Sequence, residues 1–390
     1  MSAFSTYPAL LPVIRQTWGL SNSAAGVVSG VYFAGYMIAV PVLATLTDRI
    51  DARRVYLFAA CLSAAGALGF GLFAWGLPSA IAWQVVGGMG LAGTYMPGLK
   101  ILADALADRT TDRIQSRAIA FYTSTFGVGT SLSFWLAGGV AAALPWHWAF
   151  ALAAIGPTSA GVLVRVAVPP ARVGARGARV PIVADLGRLW RAARNPDAAR
   201  FVAAYGAHCW ELFGLRSWIT AFFAFAASLR ATAAAWTPAT AAAIINLVGP
   251  LASILGNEAA VRIGRVRHVT SVMAASIALA CLVGFAAPLA PAVLLAVMTV
   301  YFLIVMADSA TLTAGVVASS DPAERGATMA VYSLSGFGAG FLAPVIFGVV
   351  IDAAGGASRG LAWGLAFASL AAPTLLVLPA LTRPAQTGRT

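Results

Sequence analysis

The chain has 390 residues, 60% of them hydrophobic and 10% charged, with a formal net charge of +12. Soluble domains carry about 25% charged residues, and long apolar runs recur here from end to end, so the composition excludes a soluble fold and a barrel of short alternating strands and predicts an all-α polytopic membrane protein. The positive charge lies in arginines between the apolar runs, which assigns it to membrane topology and leaves no reason to expect nucleic acid as a partner.

The first apolar run, 4–18, gives roughly 22 Å of helix, short of a bilayer core of roughly 30 Å. Spans two to six follow at about 23–46, 55–75, 79–106, 116–144 and 146–168. A polar, arginine-rich stretch, 169–199, separates them from spans seven to twelve, at about 201–228, 236–261, 269–287, 290–319, 326–351 and 361–381. The expected organisation is therefore an N-terminal bundle over 1–168, a cytoplasmic central loop over 169–199, and a C-terminal bundle over 200–390 ending in a short tail. No basic n-region marks a cleavable signal peptide.

Arginine sets the orientation. With the central loop cytoplasmic, twenty of the 25 basic residues fall on that side. Arg15, Arg230 and Arg359 fall on the other, and Lys100 and Arg216 lie within spans. This predicts a multi-pass protein of the cell inner membrane with a cytoplasmic C-terminus.

The two halves repeat. RAIAFYTSTFGVGTSLSFWLAGGV in span five and RGATMAVYSLSGFGAGFLAPVIFGVV in span eleven align at a shift of about 209, which lays Gly127 on Gly336, Gly129 on Gly338 and Gly139 on Gly348. Six spans per half is an even number, so the repeat is parallel, the kind that places a substrate site at the midplane between two bundles. The shift also predicts that roughly ten or more residues of the first helix precede residue 1.

Span seven carries the charges that matter most. His208, Glu211 and Arg216 sit in its middle third, where an ionised group needs a partner or a water-filled cavity. His208 and Glu211, three apart, share a face, whereas Arg216 is offset from Glu211 by about 140°. Two outcomes are open: structural ion pairs with neighbouring helices, or a substrate and proton site. Arg216 is the candidate substrate ligand, because a guanidinium offers a bidentate fork to a carboxylate or small oxyanion. Glu211 is the candidate proton carrier, with His208 either a relay or a hydrogen-bond donor to a backbone carbonyl. Trp210, Tyr95 and Tyr301 are candidates to line the cavity, and Asn246 in span eight is a further polar candidate.

The three cysteines, Cys61, Cys209 and Cys281, all lie within apolar runs and show neither a disulfide framework nor metal-ligand spacing. No cofactor and no metal is expected. His147, His208 and His268 fall on separate segments, which argues against an enzyme, and the absence of a G-x-x-x-x-G-K-[ST] loop leaves ion or solute gradients as the energy source.

With these residues the chain resembles the major facilitator superfamily over nearly its whole length: two six-helix halves, a basic central loop, and a loop after helix two that the family writes G-x-L-a-D-R-x-G-R-R. Here that loop reads ATLTDRIDAR over Ala44–Arg53, with Leu46, Asp48, Arg49 and Arg53 matching and Ala44 and Asp51 replacing glycines. A tight turn at Asp51 is expected, since Asp tolerates left-handed geometry. The resemblance implies two bundles related by a pseudo-twofold axis, with helices one, four, seven and ten lining the cavity. It also implies a cytoplasmic latch of Asp48, Arg49 and Arg53, whose degenerate second copy retains Arg262 and Arg265. In QVVGGMG of helix four, Gln84 stands where the family often has a coupling arginine, while Gly88 and Gly90 match and are expected to permit close helix contact.

Lys100 in helix four and Asp308 in helix ten are 208 apart, almost the repeat shift. Either they pair across the halves when the inner gate closes, with Asp308 also serving proton coupling, or Lys100 pairs with Asp104 within its own helix. The function implied is secondary active transport of a small anionic metabolite by alternating access with proton coupling. The alternative is proton-driven efflux of drugs or other amphipathic compounds. The expected partners are the substrate, protons and the lipid bilayer, and the expected state is a monomer.

Overall fold

In hydrocarbon every backbone N–H and C=O must be satisfied within the segment, so apolar runs of this length become helices. The computed structural model describes residues 2–47, 49–107, 112–170, 186–230, 235–321 and 324–382. Among them are fourteen helices and no strand. The N-terminal half comprises α1 (Thr6–Thr17), α2 (Asn22–Leu46), α3 (Ala52–Phe73), α4 (Leu77–Ala107), α5 (Asp112–Ala143) and α6 (His147–Ala167). A short helix, α7 (Leu186–Ala193), precedes the second half: α8 (Pro196–Ser228), α9 (Pro238–Ile263), α10 (Arg265–Val283), α11 (Pro291–Ala307), α12 (Ser309–Ser319), α13 (Arg325–Ala353) and α14 (Gly360–Leu381). Nine stretches of the described residues are long and apolar enough to cross a membrane. The 31-residue α4 and the 33-residue α8 add length enough for two more, at about 1.5 Å per residue.

Local chemistry sets the boundaries. Asn195 caps α8 by accepting from the Asp197 and Ala198 amides, with Pro196 at the first helical position, and Thr237 caps α9 ahead of Pro238 in the same way. Gly264, at φ 91°, turns the chain between α9 and α10, a conformation open to glycine at no steric cost. Its counterpart in the first half behaves differently from the expectation. Asp51 has φ −52°, not a left-handed value, and caps α3 by accepting a hydrogen bond from the Arg53 amide. The carboxylate takes up an orphan helix donor, which fixes the turn without the geometry a glycine would supply.

A second departure lies in helix ten. One continuous span, 290–319, is expected, but the helix is interrupted at Asp308 between α11 and α12. The His268 Nε2 lies 3.1 Å from the Ala307 carbonyl oxygen, and Gly256 packs against the same carbonyl. A side chain inserted into the ladder is a recognised setting for a helix interruption, and both contacts fall at this one.

Packing repeats with the sequence. In the first half α3 packs on α4 and α6, α2 on α4, and α1 on α5. In the second α10 packs on α11 and α14, α9 on α11, and α8 on α13. Two seams join the halves, α2 against α13 and α5 against α9, and α1 packs on α8 between them. Exchanging the halves exchanges the two seams, which is the signature of the pseudo-twofold axis.

The ends of the bundle are unlike. One, the basic end, carries Arg49, Arg53, Arg262, Arg265 and Arg267. The far end carries the starts of α2 and α9 and the end of α13. At the far end the α2–α13 seam is tight. A methyl group added at Gly26 would meet the Pro344 carbonyl, and one at Gly30 the Phe341 carbonyl. The Asp352 carboxylate closes this seam by accepting four hydrogen bonds, from the Asn22 amide (3.2 Å) and Nδ2 (2.7 Å) and from the Ser23 amide (2.7 Å) and Oγ (2.6 Å). It thereby caps the start of α2 from the opposite half. The second seam runs from Gly138 against Ala239 through Ser131 Oγ, which donates to the Ala243 carbonyl at 2.7 Å, to Gly127 against Pro250.

Candidate functional site

The long central helix α8 presents its charged side chains on two faces, as the 140° offset requires. Glu211 is buried inside the second half. Its Oε2 accepts from Ser276 Oγ of α10 at 2.5 Å and its Oε1 from Tyr301 OH of α11 at 2.7 Å. One turn earlier His208 Nδ1 lies 2.8 Å from Asp308 Oδ1, both side chains all but inaccessible to solvent. Asp308 occupies the interruption between α11 and α12, so the contact ties α8 to the break in helix ten.

Arg216 faces the other way, toward the first half. Its Nε donates to Asn246 Oδ1 of α9 at 2.8 Å, and Asn246 is itself oriented by donating from Nδ2 to the Ala242 carbonyl at 2.9 Å. The guanidinium carbon lies 5.5 Å from the Phe302 ring centre and 5.8 Å from that of Phe126, within reach of the attraction between a cation and a ring face. The terminal nitrogens take no partner among the described residues. They border a small cavity of about 20 Å³ lined by Phe4, Tyr32, Phe33, Gln84, Phe213 and Arg216, with Ser5, Pro8, Ser29 and Ser217 completing the wall. That volume holds about one water molecule. Residues of both halves contribute, so the cavity lies between the bundles.

The expected site residues therefore divide. Arg216 reaches the cavity between the halves, whereas Glu211, His208, Tyr301 and Asp308 form a polar cluster within the second half. Trp210 and Tyr95 are not among the cavity's lining residues. Trp210 Nε1 donates to the Ser369 carbonyl of α14 at 3.3 Å. Tyr95 stacks on Tyr122 at 5.8 Å, and its carbonyl accepts from Tyr122 OH at 2.9 Å. Lys100 is bound to Asp104 at 3.2 Å, one helical turn on, and is not joined to Asp308. Of the expected latch, Asp48 lies outside the described residues. Arg53 is buried, its guanidinium donating to the Arg165 carbonyl at 2.5 Å and so capping the end of α6. Arg262 is exposed and Arg265 half-buried at the basic end. Gly88 and Gly90 do permit close helix contact, against the Tyr32 carbonyl and against Ser63.

Ser29, Phe33 and Phe213 were not marked by any sequence signal. The serine is one of many in apolar spans, and phenylalanine is the ordinary filling of such helices. Arg216 and Asn246 were marked as polar groups in mid-span, which are costly unless they have partners, and Gln84 because it stands where the family often has a coupling arginine.

Comparison with known proteins agrees with this architecture. The family model of the Major Facilitator Superfamily matches residues 1–307. The chain is 31% identical over 159 residues to the MFS-type transporter YcaD of Escherichia coli O139:H28 (strain E24377A / ETEC) and of strain K12 / DH10B, a match spanning 40% of this chain and 40% of the relative. Among solved structures it resembles the nucleoside transporter NupG (D323A mutant) with a TM-score of 0.76 at 15% identity, covering 97% of this chain and 96% of that one. It also resembles the bacterial homolog of the human lysosomal transporter Spinster, inward-facing and unoccupied, with a TM-score of 0.69 at 15% identity over 97% and 92% of the two chains. For the human organic anion transporter MFSD10 the TM-score is 0.62 at 16% identity, over 96% and 89%. The family match, the twofold-related bundles and the membrane-spanning helices lead to one conclusion: this chain is a multi-pass membrane protein belonging to the Major Facilitator Superfamily.

Proposed function

We propose that the chain is a secondary transporter of a small organic anion, working by alternating access and coupled to protons, in the cell inner membrane with its basic end in the cytoplasm. The observation that carries this reading is the division of charge on α8. Arg216 offers unpartnered donors to a cavity between the halves, where a ligand contacts both bundles. Glu211 and the His208–Asp308 pair are enclosed in one bundle, apart from that cavity, where a proton can be held without competing for the anion. The bias of arginines toward one end supports the orientation.

The conformation follows from where the halves touch. Along α2 and α13 the contacts run from Asp352 on Asn22 to the stacked rings of Tyr36 and Phe337, 3.9 Å apart, at about mid-depth. The outer side is then sealed and the chain inward-facing. In the outward-facing form the Asp352 bonds must break and the basic ends of the helices must close. In this reading a proton taken up beside Asp308 acts at the interruption in helix ten, where α11 gives way to α12.

The test is uptake of radiolabelled organic anions into proteoliposomes under an imposed pH gradient. Glu211→Gln and Asp308→Asn are expected to lose gradient-driven accumulation yet keep counterflow exchange, and Arg216→Gln to lose both. Accumulation that ignores the pH gradient, or that survives in Arg216→Gln, counts against the reading. The ring-rich cavity wall favours one alternative, efflux of amphipathic compounds, which would be selected by transport of a lipophilic cation retained in Arg216→Ala.

A further inference from the structure

The cavity beside Arg216 is made of two unlike parts. One is the guanidinium, clamped at Nε by Asn246 so that its terminal edge points into the space. The other is a wall of rings from both halves. Phe33 of α2 and Phe213 of α8 lie 4.4 Å apart at 47°, and Phe4 stands edge-on to Phe33 at 5.8 Å and to Tyr32 at 5.7 Å. Two buried serines also line the cavity, Ser29 of α2 at 4% exposed and Ser5 ahead of α1 at 1%, and neither Oγ has a hydrogen-bond partner among the described residues. A buried hydroxyl without a partner is costly, and of those in the described residues Ser5 and Ser29 line the cavity that Arg216 also lines, where a ligand atom can satisfy them.

A ligand that satisfies all three features is narrowly defined. A small inorganic anion would engage Arg216 and leave the rings unused. An aliphatic carboxylate would fill the apolar wall but forgo the edge-to-face and offset contacts that aromatic pairs prefer. A lipophilic cation would be repelled by Arg216. Resting on the anion reading above, we infer that the substrate is an aromatic monocarboxylate bearing a hydroxyl group: its carboxylate lies on the Arg216 fork, its ring against Phe33 and Phe213, and its hydroxyl on Ser29. The cavity's present volume of about 20 Å³ is far too small for such a ring, being about one water in size. Phe33 and Phe213 belong to opposite halves, so admitting the ring separates the halves at the same point where alternating access must part them. Ring size thereby couples recognition to movement.

Binding of 4-hydroxybenzoate, benzoate, cyclohexanecarboxylate, acetate, uridine and tetraphenylphosphonium to the purified full chain tests this, read by ligand-induced shifts in melting temperature and by calorimetry. The expected order is 4-hydroxybenzoate tighter than benzoate by several-fold, and benzoate tighter than cyclohexanecarboxylate by about tenfold. Ser29→Ala should erase only the first difference, and Phe33→Leu only the second. Arg216→Gln should abolish carboxylate binding, and Arg216→Lys, which keeps the charge and loses the fork, should weaken it while melting like the parent. Arg216-dependent binding of acetate or cyclohexanecarboxylate as tight as that of benzoate overturns the aromatic assignment and leaves the anion reading standing. Binding only of uridine or tetraphenylphosphonium, binding of carboxylates unaffected in both Arg216 variants, or binding of nothing in the panel overturns both.

Discussion

The two halves of this protein have one design and unequal contents. Helix contacts repeat between them, and the turn between the second and third helix of each half is tight in both, held by the Asp51 cap in one and by Gly264 in the other. Yet among the described residues His208, Glu211, Arg216, His268 and Asp308 are buried in the second half, while Arg53, at a helix end, is the buried charged residue of the first. Equivalent positions make the point. Lys100 pairs with Asp104 on its own helix, both substantially exposed, whereas Asp308, at the same place in the repeat, is buried against His208 at a break in its helix. A repeat copies the backbone path, because hydropathy and glycine spacing dictate it. Chemistry needs groups that differ across the axis, so the copies diverge where a ligand or proton must be handled asymmetrically. The first half supplies three of the four rings of the cavity wall, Phe4, Tyr32 and Phe33, and the second supplies Phe213 and the buried charge.

That asymmetry can be broken at graded cost. The largest expected effect is at Arg216: the Gln variant should reduce uptake by a hundredfold or more, equivalent to about 3 kcal/mol for a charge-assisted contact in a desolvated site. Measuring uptake and counterflow together separates lost binding from lost coupling. Next is Asp308→Ala, which leaves the buried His208 without its polar partner and should cost about 1–3 kcal/mol, seen as a fall in melting temperature of the purified protein. Asp352→Ala removes a four-bond cap from the far-end seam. It should shift the population toward the outward-open form by about tenfold, read as faster labelling of a Ser29→Cys reporter from the far side. Gly26→Ala should act in the same direction by wedging a methyl group against the Pro344 carbonyl. If Asp352→Ala slows labelling, the seam is not the outer gate. The smallest effect is at Lys100, where replacement by Ala should change stability by less than about 0.5 kcal/mol because both partners are substantially solvated. A loss at Lys100 as large as that at Asp308 would erase the contrast between the halves.

Much of this was legible before any fold was known. Mid-span charge marked Arg216, Glu211 and His208, and their angular spacing separated the face of Glu211 from that of Arg216. The glycines of helix four announced a close contact, though not that its partners are the Tyr32 carbonyl and Ser63. Other features left no trace in one dimension. Nothing near Asp308 in sequence foretells a break, and the side chain that meets the backbone there, His268, comes from another helix forty residues away. Nothing near Asp352 foretells a cap, because the amides it holds belong to α2, some 330 positions earlier. The partners of Glu211 are Ser276 and Tyr301, of which only the tyrosine was a candidate, and as a cavity residue rather than as a donor.

The sequence by itself determined the number and order of the spans, the bias of positive charge, the repeat, and the depth at which each charge lies. All of these follow from transfer energies that each residue carries along the chain regardless of its neighbours. Only the tertiary structure decided which charges meet. Hydrogen bonds and ring contacts act over a few ångströms, and the residues brought within that range come from helices far apart in the chain, so the division between the Arg216 cavity and the enclosed Glu211 cluster exists only once the two bundles have packed.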